Sequence, residues 1–322
     1  MPSSFQLQRL RPDPFLVLLV LTVLLAMILP ATGTVAEWLS RASYAAVVVL
    51  FFVYGAKLEP RAVLAGLANW RLQGTTLLTT FALFPVIGLA LATALSLVLP
   101  SDLALGVLFL CLLPSTVQSC IAFTSLAHGN VGGAVCAATL SNITAVVLTP
   151  LLSALLLQTG EGPSGSAVVN IAVQILLPFA LGQLSRRVIG TWFARHPRLT
   201  LAVDRGSILL IVYTAFSAGM VAGVWMRVTP WDIVALLGTE ILLLAIILAG
   251  SMLLAQKLGL DRSDRVALMF CGSTKSMATG IPIANILFMG QAVSLIVLPL
   301  LIFHQLQIVV CASIAHRLSR HT

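Results

Sequence analysis

Ten apolar stretches follow one another along almost the whole chain, and each approaches the length a helix needs to cross a bilayer. A transmembrane helix requires about 20 predominantly apolar residues. The stretches lie at 15–33, 42–57, 73–99, 103–127, 131–158, 166–185, 206–226, 233–256, 266–289 and 292–315. A helix pairs its own backbone polar groups, as hydrocarbon surroundings demand. The sequence therefore predicts an all-α membrane protein with ten transmembrane helices.

Charged residues are too scarce for a soluble fold of this length. Only 9% of the 322 residues are charged, whereas a soluble domain carries about 25%. The lipid bilayer is therefore the expected partner of the surface. The net charge of +8 does not indicate a nucleic-acid partner, because the basic residues lie between the apolar stretches and not along one face.

The basic residues also orient the chain. With the N-terminus in the cytoplasm, 15 of the 18 Lys and Arg residues fall on the cytoplasmic side, among them Arg9 and Arg11, while only Arg41 and Arg227 fall outside. Such a bias is typical of proteins in a cell (plasma or inner) membrane. It predicts that both termini are cytoplasmic. It also requires the first stretch to be retained, although Thr34-Val35-Ala36 resembles a signal-peptide cleavage site.

Ten spans permit two halves of five, residues 1–158 and 159–322, with no separate soluble domain. Because five is odd, the second half runs inverted relative to the first, an arrangement common in secondary transporters. The fourth and ninth stretches agree with this, because both carry small polar residues at their centres beside Pro114 or Gly272. Proline and glycine weaken a helix, so we expect both helices to be broken and to cross at mid-membrane.

Candidate binding residues lie at these breaks and on neighbouring stretches. Broken helices in transporters place half-helix ends and free carbonyls around a bound ion or substrate. The predicted substrate- or ion-binding residues are Thr80, Ser115, Thr116, Gln118, Ser119, Ser273, Thr274, Lys275, Ser276 and Asn285.

Lys275 is the most unusual of these residues. It lies ten residues after Arg265, so it is about 15 Å deep in a core about 30 Å thick. A charge there costs about 2.5–3.5 kcal/mol even on lenient scales. Two interpretations stay open: a buried tether between broken helices, or a fixed cation or proton carrier in a binding site.

Two further polar features inside the spans leave alternatives open. Glu240 either pairs with Lys275 or faces water near the outer mouth. His304, Gln305 and Gln307 form a polar cluster in the tenth stretch, which fits inter-helix packing or a proton relay.

Catalytic and metal motifs are missing from the sequence. It has no Gly-rich phosphate loop, H-E-x-x-H, G-x-S-x-G or C-x-x-C, and its five cysteines all lie inside apolar stretches. We therefore expect neither an enzyme, nor a cofactor, nor a bound metal other than a coupling ion.

Three runs of residues resemble the bile acid:sodium symporter superfamily. They are LPSTVQS at 113–119, TSLAHGNV at 124–131 and LTPLL at 148–152; the run GSTKSMATGIP at 272–282 is similar to the sodium-bile-acid-symporter-like branch. The resemblance covers essentially the whole chain. It implies a ten-helix fold with a panel and a core domain, in which sodium drives the uptake of organic anions.

The sequence departs from that family at the positions that bind sodium. The resemblance implies a Glu at position 270, a Gln at 274 and an Asn at 275, where this chain has Phe270, Thr274 and Lys275. The third-helix Gln becomes Thr80, and two hydroxyl positions become Ala134 and Ala138. We therefore expect Lys275 to supply the positive charge that sodium supplies elsewhere, which leaves the coupling ion, Na⁺ or H⁺, open.

The predicted function is a secondary transporter of small organic anions that works by alternating access. The alternative is a non-transporting membrane regulator or receptor of ion homeostasis. The sequence does not indicate the substrate or the oligomeric state.

Overall fold

The computed structural model describes residues 14–57, 69–157, 165–288 and 292–320, and the regular secondary structure within these ranges is helical, without strands. The helices are α1 (Pro14–Ile28), α2 (Gly33–Lys57), α3 (Trp70–Leu95), α4 (Ser101–Cys111), α5 (Gln118–Leu126), α6 (Val131–Leu156), α7 (Gly165–Ser185), α8 (Thr191–Arg195), α9 (Pro197–Val221), α10 (Pro230–Lys257), α11 (Arg262–Ser273), α12 (Met277–Leu287) and α13 (Val293–Ser319). Of the basic residues that were predicted to be cytoplasmic, Arg9, Arg11 and Arg61 lie outside the described residues.

Six helices in the described ranges are long and apolar enough to cross a membrane: α2, α3, α6, α9, α10 and α13. Shorter apolar helical segments lie at Val17–Ile28 and Ser101–Cys111. Many apolar side chains on these helices point outward, including Leu21 and Trp38. The prediction of an all-α membrane protein is therefore confirmed.

Two helices begin well before the apolar stretches that predicted them. Helix α2 begins at Gly33 and not near 42, and α9 begins at Pro197 and not near 206. In both cases the helix continues through polar residues, because its backbone hydrogen bonds do not depend on the polarity of its side chains. Helix α9 ends at Val221, shortly before Gly223, whose φ of 66° is left-handed.

Helices α2 and α7 approach each other backbone to backbone through two glycines. A Cβ added at Gly55 would lie 2.0 Å from the Phe179 carbonyl oxygen, and one added at Gly182 would lie 2.0 Å from the Phe52 carbonyl oxygen. Small residues allow such close packing in membranes, where van der Waals contact is a main source of helix association. This pair forms one wall of the molecule beside α1 and α9.

One carboxylate joins the N-termini of three helices. Asp264, in the first turn of α11, accepts hydrogen bonds of 2.7 Å from the side-chain amides of Asn69 and Asn130. These two asparagines in turn cap α3 and α6. The carboxylate accepts from donors on two other chain segments at once, so it fixes the ends of α3 and α6 relative to its own helix, α11.

Candidate functional site

The two predicted breaks are present, and they meet. The chain leaves α4 after Cys111 and resumes helix at Gln118, and it leaves α11 after Ser273 and resumes at Met277. The backbone N–H of Ser276 donates to the Pro114 carbonyl over 2.8 Å. The Thr274 hydroxyl oxygen lies 3.1 Å from that of Ser115 and 3.0 Å from that of Thr116. The predicted residues at positions 115, 116, 274 and 276 thus lie at one crossing.

Five consecutive carbonyls, at 111–115, have lost their helical partners, and each accepts a hydrogen bond from another segment. Their donors are Lys275 Nζ for Cys111 and Leu113, the Thr149 hydroxyl for Leu112, the Ser276 backbone for Pro114 and the Asn142 amide for Ser115. Backbone unpaired at membrane depth is tolerated only where protein or water satisfies it. Here the carbonyls of the first break are satisfied by side chains of α6 and by side-chain and backbone donors of the second break.

The Lys275 ammonium group is fully buried at this crossing. It donates to three carbonyl oxygens, those of Thr80 at 3.0 Å, Cys111 at 2.9 Å and Leu113 at 2.7 Å. The nitrogen also lies 4.0 Å from the ring centroid of Phe84, a cation–π contact. Backbone carbonyls at half-helix C-terminal ends are the groups that bind Na⁺ in secondary transporters.

Helix α3 supplies the third carbonyl through a local irregularity. Residues Thr79–Leu83 form a π-helical turn, in which the Phe84 N–H bonds to Thr79 and not to Thr80. The next residue that a π turn would offer to Thr80 is Pro85, which has no N–H. The Thr80 carbonyl is therefore left without its helical donors, and the Lys275 ammonium takes their place.

Glu240 is not bonded to Lys275. Both of its carboxyl oxygens are buried without a hydrogen-bond partner among the described residues. The alternative that Glu240 faces water is also wrong, because its side chain is 0% exposed.

Gln307 of α13 holds the peptide of Lys275. The Lys275 N–H donates to Gln307 Oε1 over 2.7 Å, and Gln307 Nε2 donates to the Lys275 carbonyl over 2.9 Å. Gln307 Nε2 also lies 2.9 Å from His304 Nδ1. The polar cluster predicted in the tenth stretch therefore contacts the break through Gln307, and His304 is bonded to that glutamine.

A cavity of about 510 Å³ lies beside the crossing. Its wall includes the first residues of both half-helices, Gln118 and Ser119 of α5 and Met277 of α12. Predicted residues Thr116 and Ser276 also line it, as does His304. Residues of α2, α7 and α9 also line the cavity, among them Tyr54, Lys57, Asp204 and Arg205.

Two predicted residues lie elsewhere. Asn285 is half-buried ten residues along the chain from Lys275, in α12, and does not line the cavity. The Ser273 hydroxyl donates to the Met269 carbonyl of its own helix.

Several groups at the crossing are not among the predicted binding residues. The carbonyls of Cys111 and Leu113 belong to apolar residues that carry no polar signal, and Phe84 reads as an ordinary core residue. Asn142 and Gln307 are polar residues inside apolar stretches, but such residues more often join helices than bind ligands.

Comparison with known proteins gives one consistent result. Residues 13–320 match the family described as the SBF-like CPA transporter family. The chain is 48% identical over 321 residues to "Uncharacterized protein PA2026" of Pseudomonas aeruginosa, covering 97% of this chain and 94% of that protein. It is 43% identical over 311 residues to "Putative symporter YfeH" of Escherichia coli, covering 96% and 94%. It is 28% identical over 313 residues to "Sodium/bile acid cotransporter 7-A" of Xenopus laevis, covering 94% and 90%.

Proposed function

The chain belongs to the SBF-like CPA transporter family, and on that premise we propose that it is a secondary active transporter of small organic anions that works by alternating access. The family and the relatives establish a transporter of the bile acid:sodium symporter kind rather than an enzyme. The anion and the transport cycle are our proposal.

The proposal that the substrate is an anion rests on the cavity, which lies between two half-helix N-termini. The N-terminus of a helix holds about half a positive charge and presents unpaired N–H groups. Helix α5 begins at Gln118 without a side-chain cap, and its first residues line the cavity. Lys57 and Arg205 add cationic groups, and among the described residues that line the cavity only Asp204 carries a carboxylate. This arrangement favours an anionic substrate.

Packing between the halves supports the inverted repeat of residues 1–158 and 159–322. Helix α1 packs on α9, and α2 packs on α7. Each of the first two proposed spans of one half thus contacts one of the first two proposed spans of the other. Helix α3 likewise packs on α4, as α10 packs on α11. We propose ten spans related in this way, with the α1, α2, α7 and α9 group moving against the rest.

The geometry of the crossing supports the proposal that the Lys275 ammonium group, and not a sodium ion, fills the cation site. Its ammonium group binds three carbonyls of the kind that sodium binds. At other positions where the family resemblance implies sodium ligands, Phe270, Ala134 and Ala138 are fully buried in one apolar cluster with Cys120 and Cys271. Apolar side chains offer no oxygen to a sodium ion.

Flux through reconstituted protein tests the transport proposal. The purified protein would be placed in sealed proteoliposomes and offered a panel of radiolabelled organic anions that includes bile acids. We expect saturable accumulation of at least one anion, which empty liposomes do not show. Binding of an anion without any flux would instead favour the alternative, a non-transporting regulator or receptor.

Transport should not require sodium. Because the Lys275 ammonium already occupies the carbonyl site, we expect the same initial uptake rate in sodium and in choline buffers of equal ionic strength. Initial rates in the two buffers provide the measurement. A steep rise of uptake with sodium concentration would contradict the role given to Lys275 while leaving transport itself intact.

A negative charge at the start of α5 should weaken anion binding. We expect Ser119→Asp to raise the Kd for the transported anion about tenfold, which corresponds to about 1.4 kcal/mol, because the new carboxylate repels the ligand and neutralises the helix end. Ser119→Asn has nearly the same shape without the charge and serves as the control. Equal Kd values for the two variants, measured by ligand-induced thermal shift, would count against an anion at this position.

A further inference from the structure

The hydrogen bonds around Gln307 fix the protonation state of His304. The amide of Gln307 cannot be reversed, because the Lys275 N–H requires an acceptor and the Lys275 carbonyl requires a donor. Its Nε2 therefore points to His304 Nδ1, 2.9 Å away, and donates its second hydrogen there. His304 Nδ1 must accept, so the ring is neutral in this conformation.

Protonation of His304 removes this contact. A proton taken up from the cavity binds the Nδ1 lone pair, and the resulting N–H then faces the amide hydrogens of Gln307, so two donors oppose each other. Gln307 holds both polar groups of the Lys275 peptide. The proton therefore acts on the break itself, through one side chain.

The same proton changes the charge of the cavity. His304 lines the cavity, so its protonation adds a cation beside the two half-helix N-termini. An anion in the cavity then stabilises protonated His304, and protonated His304 strengthens anion binding by the same factor, because coupling between two binding events is reciprocal.

We propose that His304 binds the coupling proton and that proton uptake there is linked to anion binding and to release of the Lys275 break. The transport part of this statement rests on the proposed function. The link between His304 and the break does not, because it follows from the hydrogen bonds alone.

Other titratable groups surround His304 and must be separated from it. Tyr54 and Lys57 of α2 and Asp204 and Arg205 of α9 line the same cavity. Beyond the cavity wall, the helices packed on α13 and the break carry further such groups: Cys111 of α4, Cys120 of α5, Glu240 of α10, Cys271 of α11 and Lys275. Asp204 is the carboxylate among the described residues that line the cavity, so acidification acts on it as well as on His304; it accepts a hydrogen bond from Tyr54.

Thermal unfolding of the purified protein without substrate is the first test. Because the bond needs an unprotonated Nδ1, stability should fall as the pH is lowered from about 8 to about 5, the range in which histidine changes charge. We expect this acidification to lower the Tm of the wild type by about 2–4 °C more than it lowers the Tm of His304→Asn. In that variant Oδ1 stands near the position of Nδ1 and accepts from Gln307, but does not titrate.

The control Asp204→Asn should keep the full pH response of the wild type. His304→Leu, which offers no acceptor, should be less stable than His304→Asn at both pH values. A His304→Asn variant that loses as much stability as the wild type on acidification would overturn the proposal.

Ligand-induced thermal shift with an anion from the panel is the second test. We expect the wild-type protein to bind the anion about tenfold more tightly at the lower pH, and His304→Asn to bind it equally at both. If the pH-dependent stability is found but no anion binds or is transported, the proposed function fails while the switch at His304 stands.

Discussion

Lys275→Met should abolish transport and lower the free energy of unfolding by about 3–5 kcal/mol, because three buried backbone carbonyls lose their hydrogen-bond donor. Methionine matches the aliphatic part of lysine but has no ammonium group. The carbonyls of Thr80, Cys111 and Leu113 would lose their donor at a fully buried position. Each unsatisfied buried acceptor costs about 1–3 kcal/mol, and the removal of a buried charge offsets part of that total.

The same substitution at Lys257 provides the control. Lys257 ends α10 and is exposed, so Lys257→Met should change stability by no more than about 0.5 kcal/mol. Chemical unfolding of both variants in detergent gives the free energies, and proteoliposome uptake gives the activity. A Lys275→Met variant as stable and active as the wild type would show that the ammonium group does not hold the crossing.

Lys275→Gln extends this experiment. A glutamine amide donates to fewer of the three carbonyls and carries no charge, so the C-terminal end of α4 and the Thr80 carbonyl face a site with room for an external cation. We expect this variant to regain part of its stability or uptake when sodium is added. No response to sodium would indicate that the site cannot hold the ion.

Gly182→Ala should destabilise the protein by about 3 kcal/mol, the upper part of the range for overpacking. The added methyl group would lie 2.0 Å from the Phe52 carbonyl oxygen and 3.0 Å from the Ala56 backbone nitrogen. Both atoms are backbone, so relief requires α2 and α7 to separate along their whole contact. Because Phe51 and Phe179 of this pair line the cavity, substrate binding should weaken as well.

An identical substitution elsewhere should have the opposite sign. A Cβ at Gly238, in α10, meets nothing within 4 Å. Gly238→Ala should therefore stabilise the protein by about 0.5–1 kcal/mol through helix propensity alone. Thermal or chemical unfolding of the two variants side by side checks the prediction, and equal effects of the two alanines would refute the close contact of α2 and α7.

Lys275 as a tether and Lys275 as a functional cation are compatible interpretations of the structure. The ammonium group binds carbonyls from α3 and from the first break while its own peptide belongs to the second. A group that joins three segments is a tether. Its place among half-helix ends is also where a coupling cation binds in transporters. A substitution that removes the ammonium group therefore removes the tether and the cation together.

The sequence by itself determined the class of protein and the location of the breaks. Long apolar stretches with few charges require helices in a membrane, because hydrocarbon offers no partner to an open backbone. Pro114 and the small polar residues after Gly272 predicted broken helices for the same local reason. These features depend on residues close in the chain, so they can be inferred without knowing how the helices pack.

Only the tertiary structure decided what the breaks contain. Lys275 bonds to Thr80 and Cys111, which are 195 and 164 residues away, and the acceptors are backbone carbonyls that every residue possesses. Sequence therefore could not distinguish Glu240 from these carbonyls as the partner of Lys275. Nor could it show that Gln307 turns its Nε2 towards His304, because the direction of that amide is set by its contacts with the Lys275 peptide on another helix.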